Sequence, residues 1–252
     1  MAKLTVAEDE ADLARRAADR LSELMAESIS TRGSAVVSLT GGTTPKRLYE
    51  LLADPEQPWR GRVDWPRVHL FWGDERHVPP DDKDSNYGMA KRALIDRVPI
   101  PPANVHRIGG EIPDAATAAR EYADEMRKGF AAAGRQDRTF DVMLLGVGDD
   151  AHIASIFPGS PLLERSPLAA RQDVTAVWAA HLDAWRITLT PQALLDARTI
   201  VMLVAGERKA DAVHAAIEGP LDVARWPAQL LRRADDRLEW TIDRAAAARL
   251  NR

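Results

Sequence analysis

The sequence predicts an α/β protein, a three-layer α/β/α sandwich around a mostly parallel sheet. Three observations carry this. Four runs, 34–39 (SAVVSL), Val68–Trp72 (VHLFW), 140–145 (FDVMLL) and Thr199–Val204 (TIVMLV), are almost unbroken in apolar residues, as strands shielded by helices on both faces must be. Stretches with apolar residues at roughly 3.6 spacing fill the gaps between them. Strand alternating with helix is the α/β pattern.

In chain order, residues 4–7 read as a short strand and 7–27 as an amphipathic helix. The run 34–39 meets Gly41 and Gly42 and then a helix signal, with Thr44 expected as N-cap and Pro45 as the first helical residue. Residues 54–66 (DPEQPWRGRVDWP) are a loop-sized break, as is the cluster Pro99, Pro101 and Pro102. Val68–Trp72 runs into Gly73, Asp74, Glu75 and Arg76, and helices are expected over 86–95 and 115–130. The run 140–145 ends in Gly146, Val147 and Gly148, and short strands are plausible at 186–189 and 238–242. Thr199–Val204 ends in Ala205 and Gly206, with a helical pattern over 208–218. Repeats and low-complexity runs are absent and no break is linker-sized, so one domain over 1–252 is expected.

Among the 252 residues, 34 Lys and Arg face 38 Asp and Glu, for a net charge of −4. That mild acidity argues against a nucleic-acid partner. With 45% apolar and 29% charged residues the composition is that of a globular protein. There is no cysteine, hence no disulfide, no thiolate nucleophile and no Cys-ligated zinc. The first residues lack the apolar core of a signal peptide, and no stretch approaches the ~18 apolar residues of a membrane span. A cytoplasmic protein without a membrane partner is expected.

Ligands of open parallel sheets bind beyond the carboxyl ends of the strands. All four strong strand ends carry Gly or ionisable residues: TGGTTP at 40–45, GDERH at 73–77, GVGDDAH at 146–152 and AGERK at 205–209. In the first, Gly41 and Gly42 let the backbone approach a ligand, Thr43 adds a donor, and the helix start favours an anion, so a phosphate site competes with a plain tight turn. The spacing is not that of an NTPase loop, which favours a monophosphate. Lys209 opens a helix, where a cation opposes the dipole and needs another reason to stand there.

Residues 146–151 formally match the dinucleotide fingerprint, but Asp149 and Asp150 would sit where a pyrophosphate should lie. His152, read as the start of a helix, is a candidate general base: an imidazole with a pKa near ~6.5 can take a proton from water, and Asp150 can fix its tautomer. Capping or packing is the plainer alternative. Arg76 can clamp an anion or stabilise developing negative charge, with a local ion pair as the alternative, and Asp74 can orient hydroxyls or another side chain. Metal spacings are missing, the DDKDSN stretch fails as a calcium loop at Tyr87 and Ala93, and no G-x-S-x-G elbow occurs.

With these residues in view, the sequence resembles the 6-phosphogluconolactonase family, of the wider group that includes glucosamine-6-phosphate deaminase. Four segments carry the resemblance: 38–52, 70–96, 141–160 and 186–213. Arg76 after the Asp-Glu pair and ASIFP after the His match the lactonases and not the deaminases. One departure is Ala151, where the family usually has Gly, which matters if that position needs positive φ. The resemblance implies a Rossmann-like sheet and hydrolysis of 6-phospho-D-glucono-1,5-lactone in the oxidative pentose phosphate pathway, with no cofactor and no metal. Gly41, Gly42, Thr43 and Lys209 would hold the phosphate, with Arg186 a further candidate. His152, oriented by Asp150, would act as general base, and Arg76 would contact the phosphate or the oxyanion. The expected partner is a small sugar-phosphate lactone, and the expected assembly a monomer or small homo-oligomer. The competing readings are a deaminase or aldose–ketose isomerase and a catalytically silent sugar-phosphate sensor.

Overall fold

The computed structural model describes residues 2–164 and 172–251. β1 (Lys3–Ala7) leads into α1 (Glu10–Arg32), where the Asp9 carboxylate accepts the Asp12 amide and Gly33, left-handed at φ 84°, ends the helix. The helix thus starts later than residue 7 and runs past residue 27, because the cap and the glycine set its ends more firmly than apolar spacing does. In chain order follow β2 (Ala35–Leu39), α2 (Thr43–Ala53), α3 (Pro58–Arg62), β3 (Val68–Trp72), β4 (Asp74–Arg76) and α4 (Asn86–Ala93). Then come α5 (Ala115–Ala132), β5 (Val142–Leu145), β6 (Val174–Ala179), β7 (Ala184–Leu189), α6 (Pro191–Leu195), β8 (Thr199–Val204), α7 (Ala210–Ile217) and β9 (Leu238–Asp243).

Six strands form one wholly parallel sheet in the order β1-β9-β8-β5-β2-β3. β2, β3 and β5 are buried along their whole length, as apolar runs covered on both sides require. The two faces of β3 show the layers. Trp72 meets Tyr87 of α4 edge-on, while Phe71 stacks on Phe130 of α5. The Tyr122 hydroxyl of α5 donates to the Trp72 carbonyl and accepts its amide, pinning the helix to the strand end. Strand order reverses between β2, which continues outward to β3, and β5, which returns on β2's other side. That reversal opens a crevice at the carboxyl ends of β2 and β5.

Three findings depart from the sequence reading. Residues 74–76, read as the charged end of the second run, form a strand of their own, β4, the edge of a second, antiparallel sheet ordered β4-β7-β6. Gly73 joins the sheets, its amide donating to Leu39 and its carbonyl accepting the Leu189 amide. β6 escaped the sequence reading because its residues alternate only partly between buried and exposed. Helix α2 begins at Thr43 with Gly42 as its cap, so Thr44 is inside the helix and Pro45 is not its first residue. Glycine reaches the φ of 110° that the chain needs there, and a threonine does not.

The fold also buries a polar chain. His69 on β3 lies 3.1 Å, ring nitrogen to ring nitrogen, from His106, whose Nδ1 is 2.8 Å from Glu125. Burial, with the neighbouring His106 and Arg135, depresses the His69 pKa to about 4. The unfolded chain therefore takes up the His69 proton first, and this group's contribution to stability, complete above about pH 6.5, is lost as pH falls toward 4. Denaturant midpoints at pH 7.5 and 5 are expected to fall with pH, and His69→Gln to flatten that slope.

Candidate active site

The loop after β2 is fixed from behind. Tyr49 of α2 accepts the Thr40 amide and donates to the Thr40 carbonyl, so the chain turns at Gly41 in a defined place. A Cβ on Gly41 would lie 1.9 Å from Asn86 Oδ1. No side chain caps α2, which leaves its first-turn amides facing the crevice. Across from them, β8 is followed by Gly206, whose amide donates to both oxygens of the Asp243 carboxylate. A single 3-10 turn, Glu207–Lys209, then precedes α7, so Lys209 sits just before the α-helix. Gly41, Gly42 and Lys209 line two adjoining cavities of about 300 and 240 Å³, and Thr43 lines the first.

The second cavity also receives Asp74, Arg76, Asn86 and His152. The loop from β5 carries His152, and here the expected helix start is absent. Ala151 and Ala154 have φ of 63° and 47°, which breaks any right-handed helix. The Asp150 carboxylate shapes the turn instead, accepting the His152 amide at 3.1 Å and the ring Nδ1–H at 2.6 Å. The hydrogen bond from the His152 ring holds the Asp150 pKa down at about 2, so this carboxylate is an acceptor only. Nδ1 must then carry the proton, and Nε2 is left with its lone pair. Phe157 packs against the imidazole with ring centres 4.7 Å apart.

Asp74 is committed to groups of the protein itself. Buried, it accepts the Ser155 hydroxyl at 2.6 Å and Asn86 Nδ2 at 3.3 Å, tying the β4, α4 and β5 segments together. Its neighbour Glu75 points the other way and collects the amides of Arg76, Asn86 and Tyr87. Arg76 donates to the Asp84 carbonyl at 2.8 Å, and Arg186 pairs with it in register across β4 and β7. Among the described residues neither guanidinium forms an ion pair. Burial, then the Arg76 charge, pulls the Arg186 pKa down. Arg186 does not line either cavity and stands one strand behind Arg76. A larger groove of about 950 Å³ lies beside α2, where Arg47 pairs with Glu10, Lys46 with Glu50 and Arg15 with Asp12.

Residues 8–240 match the family described as glucosamine-6-phosphate isomerases/6-phosphogluconolactonase. The chain belongs to that family. Within it, the chain is 35% identical over 227 residues to the 6-phosphogluconolactonase of Synechocystis, covering 89% of this chain and 88% of that one. To the 6-phosphogluconolactonase of Mycobacterium tuberculosis it is 38% identical, covering 94% of each chain. The solved 6-phosphogluconolactonase of Trypanosoma brucei superimposes with a TM-score of 0.82 at 27% identity, covering 100% of this chain and 99% of that one. The family's three-layer sandwich is therefore the fold of this chain.

Sequence reasoning missed Asn86, Ser155 and Phe157. Asn86 reaches the cavity by donating its Nδ2 to the Asp74 carbonyl, and the sequence showed it only as the start of a helix, with no role of its own. Ser155 meets Asp74 across 81 positions of sequence, a pairing that no local pattern encodes. No helix is long and apolar enough to cross a membrane among the described residues, and no group of His, Asp and Glu there is arranged to hold a metal.

Proposed function

We propose that this chain is a 6-phosphogluconolactonase, hydrolysing 6-phospho-D-glucono-1,5-lactone to 6-phospho-D-gluconate in the oxidative branch of the pentose phosphate pathway. The observation that carries the reading is the His152–Asp150 pair, closed at 2.6 Å, opening onto the same cavity as Gly41, Gly42 and Lys209. A base thus faces an anion cradle in a chain whose relatives bear the lactonase name.

In this mechanism the first-turn amides of α2, Thr43 and the Lys209 ammonium hold the 6-phosphate. The His152 Nε2 lone pair takes a proton from water as the water oxygen adds to the lactone carbonyl carbon. Arg76 faces the oxygen that becomes negative, since it lines the cavity holding His152 and not the one at the start of α2. When the tetrahedral adduct collapses, the bond from the carbonyl carbon to the ring oxygen breaks, and the imidazolium returns its proton to that oxygen. Asp150 holds the ring throughout, Asp74 holds Ser155 and Asn86 at the cavity wall, and Arg186 adds positive potential behind Arg76. Residues 1–252 act as a single domain, in the cytoplasm.

The test is hydrolysis of freshly made lactone, coupled to 6-phosphogluconate oxidation, against the spontaneous background. A large protein-dependent excess is expected. Release of ammonia from glucosamine 6-phosphate with no lactone hydrolysis would move the chain to the deaminase side of its family. Lys209→Ala is expected to raise KM for the phosphorylated lactone about 10- to 100-fold, the worth of a charge-assisted hydrogen bond. Glucono-1,5-lactone, which has no phosphate, serves as the comparison: an equal rise for both substrates would remove the phosphate role.

A further inference from the structure

The Lys209 ammonium is already occupied. Its Nζ lies 2.6 Å from Asp149 Oδ1, and the other oxygen of the same carboxylate is 3.6 Å from Arg208. Lys209 is mostly enclosed, its side chain 25% exposed, while the Asp149 side chain is 49% exposed and stands at the outer edge of the cradle. Asp149 lies in the turn that carries His152, but the acceptor for the imidazole there is Asp150, and the Asp149 carboxylate faces Lys209 instead. It lines neither cavity.

We propose that Asp149 is an internal counter-ion that occupies the phosphate-recognising ammonium while the site is empty and must yield it to the incoming phosphate. The inference rests on the reading of Gly41, Gly42 and Lys209 as a phosphate cradle. An ammonium has three donor hydrogens, and a singly charged carboxylate holds it less firmly than a phosphate dianion, which also draws on the first-turn amides of α2. Displacement therefore favours doubly charged phosphate monoesters over singly charged anions such as carboxylates. Those bring too little charge to compete with a carboxylate already in place. Asp149 lowers the affinity for every anion, so that only an anion with charge enough to offset the lost ion pair is held. It acts through Lys209 and is a positioning residue rather than a catalytic one.

The discriminating substitution is Asp149→Asn, with inorganic phosphate as probe, titrated into the lactone-free protein by calorimetry. Removing one negative charge a few ångströms from the bound phosphate is expected to tighten phosphate binding about five- to tenfold. Binding of acetate, a singly charged anion, is expected to tighten less, because the repulsion that is removed scales with the charge of the anion. Asp149→Glu, which keeps the charge, is expected to restore the wild-type ranking. Unchanged or weaker phosphate binding in Asp149→Asn would overturn the proposal, because a residue that merely holds Lys209 in place would lose affinity when cut. The Lys209→Ala variant in the same titration separates the two failures. If it binds phosphate as wild type does, the cradle itself is wrong, and the lactone assay stands as an independent check on the reaction.

Discussion

His152→Ala is expected to lower kcat for lactone hydrolysis by about 10²- to 10⁴-fold, the usual worth of a positioned general base. The reason lies in how the ring is held. The Asp150 carboxylate takes the Nδ1–H at 2.6 Å, so the only basic nitrogen is Nε2, and Phe157 packs at a tilt against the ring. Alanine removes the base but leaves the cradle, because Gly41, Gly42 and Lys209 come from other loops. KM should therefore move much less than kcat. Measured against the spontaneous hydrolysis of the lactone, a variant that keeps near wild-type kcat would remove His152 from the chemistry.

Gly148→Ala is expected to cost about 10²-fold or more in kcat, through the His152–Asp150 pair beside it. A Cβ there would lie 2.0 Å from His152 Nδ1, 2.3 Å from its Cε1 and 2.6 Å from Asp150 Oδ1. The backbone cannot move aside easily: the Gly148 amide donates to the His152 carbonyl, and its own carbonyl accepts the Ala151 amide, both at 2.9 Å. The imidazole must swing instead, and displacement of a catalytic group by about 1 Å costs on that order. Gly146→Ala is the control. Its nearest protein neighbour would be the Leu203 carbonyl at 3.9 Å, and because Gly146 lines both cavities its methyl is expected to raise KM and to leave kcat close to wild type. Equal losses of kcat in both variants would mean that the loop as a whole, and not the His152–Asp150 pair, is what a methyl group disturbs.

The parallel sheet was legible because its strands are buried on both faces, and such strands announce themselves as unbroken apolar runs. Thr199–Val204 and Val68–Trp72 have the same bounds in sequence and in structure. The antiparallel sheet was not legible. Asp74, Glu75 and Arg76 look like the charged end of a run because two of their side chains are buried carboxylates, satisfied by partners on other segments. Asp150 next to His152 could be read directly, since the contact spans two positions. The tie between Asp74 and Ser155 could not. Ala151 shows both sides: the sequence raised positive φ as a condition, and the residue sits at φ 63° with its methyl fully buried. An alanine can hold that conformation at a cost of about 1–2 kcal/mol. The surrounding contacts, including the Ala228 amide on the Ala151 carbonyl, keep it there.

The reversal of strand order between β2 and β5 also has a kinetic meaning. The cradle belongs to residues 41–43, the second cavity takes its wall from Asp74 to His152, and the ammonium arrives only at Lys209. No early folding unit owns the site: β2 must wait for β5, and β5 for β8, before the amides, the imidazole and the ammonium share one space. During refolding, native helix content can therefore return while the protein is still unable to bind phosphate, and the recovery of binding marks the closing of the sheet's centre.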